Sequence, residues 1–126
     1  MKIRSTLVLF AACTALAALA QAPGIKRTLL QRIDVSDTRE AVLGAAEIPE
    51  GGTTGRHTHP GVETGYVLEG SIKLEIDGEP TRILKAGESY KIPEGRVHNG
   101  SAEGGAVKVV ATYVVDKGKP LATPAP

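Results

Sequence analysis

Sulfur and large aromatic side chains are scarce in this chain. Its 126 residues include one cysteine, one methionine, one phenylalanine, no tryptophan and three histidines. A lone cysteine, Cys13, excludes an internal disulfide framework, so stability must come from a packed core. Excess charge of either sign is also missing. With 15 basic residues against 14 acidic ones, the chain lacks the electrostatic footprint of a nucleic-acid or anionic-membrane binder. Long apolar runs are absent too. The front stretch LVLFAACTALAALA, residues 7–20, would span roughly 21 Å as a helix, short of the ~30 Å a bilayer core requires.

That front stretch has a different reading. Lys2 and Arg4 precede it, and Ala18-Leu19-Ala20 closes it in the small-x-small pattern of a signal-peptidase site. Residues 1–20 are therefore expected to be a secretory signal cut after Ala20, with the mature protein periplasmic or secreted and not membrane-bound. A lipid-bearing Cys13 fits less well, because only six apolar residues (7–12) would precede it. Cleavage would remove the only cysteine, along with Lys2 and Arg4, leaving 13 basic residues against 14 acidic ones.

From Gln21 onward apolar residues recur at period two, and Gly or Pro interrupts at short intervals, the texture of a single all-β domain. In SIKLEID, Ile72, Leu74 and Ile76 should face inward and Lys73, Glu75 and Asp77 outward, with Asp77-Gly78 forming the following turn. Further strands are expected at 28–34, 40–48, 53–59, 63–69, 81–84, 88–92 and 97–100. AVKVVATYVV, residues 106–115, is apolar at both parities and should be covered on both faces. A central sandwich position is one cover and a second subunit the other, and a homodimer is expected. Residues 21–115 form the expected domain. Residues 116–126, DKGKPLATPAP, offer little to bury and are expected to be disordered.

The histidines stand out against this background. His57 and His59 are two apart, so on a strand they share a face. Glu63 at the start of the next strand and His98 from a distant one are placed to join them around one divalent metal. Taken singly, each has an ordinary explanation as a solvated or hydrogen-bonded side chain. Glycines and prolines frame the group: Gly51 and Gly52 before the pair, Gly70 and Gly87 at strand ends, Pro93 and Gly95 turning His98 back toward it. Gly65, on the Glu63 face, leaves room either for a ligand or for packing.

Together these residues resemble the cupin superfamily. The pattern G-x5-H-x-H-x3-E-x6-G is met by Gly51, His57, His59, Glu63 and Gly70. The pattern G-x5-P-x-G-x2-H-x3-N is met by Gly87, Pro93, Gly95 and His98, but Ala102 stands where the family has asparagine, and Asn99 is out of register. The resemblance implies a cupin jelly-roll β-barrel or sandwich and a mononuclear metal centre held by His57, His59, Glu63 and His98. Such a donor set suits Fe, Mn, Ni, Cu, Co or Zn as one divalent transition metal per chain.

An oxygenase of dioxygenase type acting on a small molecule is the expected activity. A redox-silent lyase or isomerase, and a non-catalytic periplasmic binder of metal or small ligand, are the alternatives. A metal-free sugar-binding or storage cupin fits less well, because all four ligand positions are kept. Arg56 is expected on the outer surface, Tyr66 in a core or interface role, Tyr90 and Tyr113 in the core or lining the pocket, and Arg96 in solvent or facing a substrate carboxylate. No general acid or base outside the ligand set is identifiable.

Overall fold

The computed structural model describes residues 24–126; the expected signal segment lies outside the described residues. Within them the chain forms ten strands and no helix. These are β1 (Lys26–Asp34), β2 (Arg39–Ile48), β3 (His57–Thr58), β4 (Gly61–Glu69), β5 (Ser71–Ile76), β6 (Arg82–Lys85), β7 (Ser89–Ile92), β8 (His98–Ala102), β9 (Val107–Asp116) and β10 (Thr123–Pro124). They form two five-stranded sheets, ordered β1-β2-β9-β4-β7 and β10-β3-β8-β5-β6, with every pairing antiparallel. The result is a jelly-roll β-sandwich, as expected.

Alternation in the sequence sets which side chains enter the interior. In β4, Gly61, Glu63, Gly65 and Val67 are buried, while Val62, Thr64, Tyr66 and Leu68 are exposed. In β5, Ile72, Leu74 and Ile76 face inward as their spacing predicts. With Ile48, Leu84, Tyr90, Ile92, Val107 and Val109 they make the core. The hydrophobic effect acts on this one contiguous cluster.

Three elements differ from expectation. The strand expected at 53–59 shrinks to His57–Thr58, with Thr53 keeping only an isolated bridge to Ser101. Gly55, at a φ of 73°, interrupts the extended backbone between them. On β9, Val107, Val109, Ala111 and Val115 are buried, but Val110 and Val114 on the other side are only half-covered. They sit among Val62, Tyr66 and Leu68, which are 40%, 45% and 44% exposed, on an apolar outer sheet face.

The third difference is the C-terminal tail, expected to be disordered. It instead turns back, and β10 pairs with β3, Thr123 opposite Thr58 and Pro124 opposite His57. The Ala125 amide donates to the Arg56 carbonyl at 2.9 Å. Amides point alternately to the two sides of a strand, so the Pro124 nitrogen, which has no hydrogen to give, faces away from β3. This edge position tolerates a proline that a central strand would reject.

Candidate metal centre

The two sheets bring the site together through register. His57 on β3 stands opposite His98 on β8 in the second sheet. His59 lies just past the end of β3, and Glu63 on β4 comes from the first sheet, between Tyr113 on β9 and Ile92 on β7. The rings of His57, His59 and His98 have centroids 4.2–5.0 Å apart. Each offers a nitrogen within 4.8 Å of the others, an arrangement able to hold a metal ion. Glu63 Oε2 lies 3.0 Å from His59 Nε2 and 3.4 Å from His98 Nε2. His59, Glu63 and His98 are buried, and His57 is half-buried.

The proton positions on the rings follow from their outer partners. His57 Nδ1 bonds the Gly55 carbonyl at 2.8 Å, His59 Nδ1 the Leu121 carbonyl at 2.6 Å, and His98 Nδ1 the Arg96 carbonyl at 2.9 Å. A carbonyl only accepts, so each Nδ1 carries the hydrogen and each neutral ring leaves Nε2 as a lone pair. Neither His59 Nε2 nor Glu63 Oε2 has a hydrogen-bond donor, although both are buried. Two acceptors 3.0 Å apart in a buried site call for a cation between or beside them. A transition metal meets that need with borderline nitrogen and hard oxygen donors.

Electrostatics support the same arrangement. Burial, helped by the neighbouring His98 and His59, lowers His57 to about 4. At neutral pH its Nε2 therefore carries no proton for a metal to displace. Burial pushes Glu63 up, but the adjacent His59 and His98 imidazoles outweigh it and hold the carboxyl at about 2. It remains a carboxylate.

The other Glu63 oxygen has a partner of its own. Tyr90 donates its hydroxyl to Oε1 at 3.0 Å, which leaves Oε2 to face the imidazoles. The Tyr113 ring packs edge-on against His59, with centroids 4.8 Å apart. Burial first, and the Glu63 charge second, push both tyrosine hydroxyls above their usual range, so both keep their protons at neutral pH. The bond from Tyr90 to Glu63 was not legible as a site contact in the sequence. Its signal is the inward parity that Tyr90 shares with Ile92 on β7.

Gly65 stands opposite Tyr90, and a Cβ there would overlap the Cζ and hydroxyl end of the tyrosine. Its missing side chain makes room for Tyr90, which decides between the two readings of Gly65 in favour of packing.

The side chains of the remaining residues singled out in the sequence take no part in the cluster. Arg56 is on the surface in a two-pronged ion pair with Asp77, at 2.9 and 2.8 Å. Arg96 donates to the Asp77 carbonyl at 2.7 Å. Tyr66 is on the outer face rather than in the core. Asn99 accepts from Thr53 and Thr54 and donates to Glu75, and Ala102 packs against the core.

Residues 44–115 match the family model of the cupin domain. The chain belongs to the cupin family. No curated protein matches this cupin by sequence. Among solved structures it is similar to the DMSP lyase DddQ from Ruegeria pomeroyi DSS-3, with a TM-score of 0.69 and 20% identity over 80% of this chain. It covers 51% of that lyase, about half its length. It is also similar to the polyketide cyclase RemF from Streptomyces resistomycificus, with a TM-score of 0.60 and 26% identity over 79% of this chain and 75% of the cyclase. A recombinant oxalate oxidase in complex with glycolate gives a TM-score of 0.59 and 24% identity, over 71% of this cupin and 50% of the oxidase. At these identities the likeness concerns the fold.

Proposed function

We propose that this cupin is a metal-dependent enzyme of the oxygenase type, in which His57, His59, Glu63 and His98 hold one transition metal and a small organic molecule is the substrate. The observation that carries the reading is the buried pair of acceptors, His59 Nε2 and Glu63 Oε2, 3.0 Å apart without a donor. A metal bound there supplies Lewis-acid or redox chemistry. The chain supplies orientation: carbonyls hold the three rings, and Tyr90 holds the carboxylate so that one oxygen is free. Tyr90 and Tyr113 keep their protons at neutral pH.

A second reading has one observation in its favour. Structures sharing this fold include a lyase and a cyclase as well as an oxidase. A redox-silent lyase or isomerase would use the same donors.

Metal analysis of protein from its native compartment separates the two readings, iron favouring the first and zinc the second. Anaerobic loading with Fe(II), followed by oxygen uptake with enediols, flavonols or thiols, tests turnover; no uptake with any metal overturns the oxygenase reading. His98→Ala should lose bound metal at least tenfold while keeping its circular-dichroism spectrum, because the barrel core forms without the ion. Export is part of the same proposal, and the mature N-terminus is expected at Gln21.

A further inference from the structure

The three carbonyls that hold the histidine rings lie at different distances along the chain. Gly55 and Arg96 stand two residues before His57 and His98, so those bonds form within one loop. The carbonyl that holds His59 belongs to Leu121, 62 residues away, at 2.6 Å. That carbonyl reaches His59 only when the tail is docked. Docking rests on the β10–β3 pairing, on the Ala125 amide bonding the Arg56 carbonyl at 2.9 Å, and on Arg56 Nε donating to the Pro126 carbonyl oxygen at 2.6 Å. The same guanidinium grips Asp77, which ties the tail to the β5–β6 turn.

We infer that residues 120–126 are a positioning clasp for the metal centre, whose docking on β3 orients His59, so that metal binding and tail docking stabilise one another. The inference rests on the metal-centre reading above. When the clasp is open, His59 Nδ1 loses its acceptor, and nothing fixes which nitrogen carries the hydrogen or where Nε2 points. Loss of such an outer partner costs a metal site about 10–100-fold in affinity. Coupling is reciprocal, so an ion that favours the oriented ring must favour the docked tail by the same factor.

The test compares three proteins by titration with Co(II), read by its visible absorption: the full chain, a chain ended after Lys117, and the full chain with Ala125→Pro. The proline removes one amide that docks the tail and touches no ligand. Expected results are a 10–100-fold weaker affinity and an altered Co(II) spectrum for the shortened chain, and a several-fold loss for Ala125→Pro. In the unaltered protein, Zn(II) should slow hydrogen exchange at the Ala125 amide.

If the shortened chain does not fold, Ala125→Pro and the exchange measurement decide. Affinities equal to that of the full chain, with exchange at Ala125 indifferent to Zn(II), overturn the clasp and leave the metal centre standing. A full chain that takes up no Co(II) overturns both.

Discussion

Tyr90 and Glu63 sit on adjacent strands, and the tyrosine hydroxyl donates to one carboxylate oxygen at 3.0 Å while the other oxygen faces the imidazoles. The bond divides the work between the two oxygens. Tyr90→Phe keeps the ring and its packing but frees Glu63 to rotate. We expect metal affinity to fall about tenfold with little change in melting temperature. Isothermal titration with Zn(II) checks this, and an unchanged affinity would show that Tyr90 only packs.

The opposing glycine makes a stability prediction. Gly65→Ala drives a methyl group into the Cζ and hydroxyl end of Tyr90, and overpacking of this kind costs about 1–3 kcal/mol. The cost should vanish when Tyr90 is already leucine. A denaturation cycle of Gly65→Ala, Tyr90→Leu and the double variant is therefore expected to be strongly non-additive. Additive losses would mean that the ring is not the obstacle.

Acid should weaken the metal-free protein over two adjoining ranges. Burial holds His57 at about 4, against 6.5 for the free group. Between these values the unfolded chain binds a proton that the folded chain does not, so stability is full above 6.5 and is lost as pH falls to 4, by about 3 kcal/mol. Glu63, held at about 2 against 4.5, contributes stability that is present above 4.5 and lost as pH falls through 2. Thermal unfolding in chelator across this range should show both, and His57→Asn should flatten only the upper one.

The apolar outer face of β4 and β9 is expected to be covered by a second copy of the chain. Tyr66 stands directly opposite Val110 there, with Val62, Leu68 and Val114 around them. Sedimentation should give a dimer at micromolar concentration, and Val110→Glu should give a folded monomer. A wild-type monomer at that concentration would defeat the expectation.

The grouping of the three histidines with Glu63 was readable because it follows from local facts. A two-residue repeat places His57 and His59 on one face, and fixed spacings to Glu63 and His98 complete the pattern. The inward set of β5 was equally plain, since Ile72, Leu74 and Ile76 alternate with charged residues. Tyr90 could not be paired with Glu63 in the same way, because that contact depends on the register between β4 and β7. The tail misled for a related reason. Its composition is that of a disordered segment, but composition does not reveal that β3 leaves a free edge, or that Pro124 falls where no amide is needed.

The outer nitrogen of every histidine in the site is held by the main chain and by no side chain. Substitutions at Gly55, Arg96 or Leu121 that preserve the backbone path would leave those acceptors in place. Neighbouring side chains are then free to drift while the three rings keep their orientation.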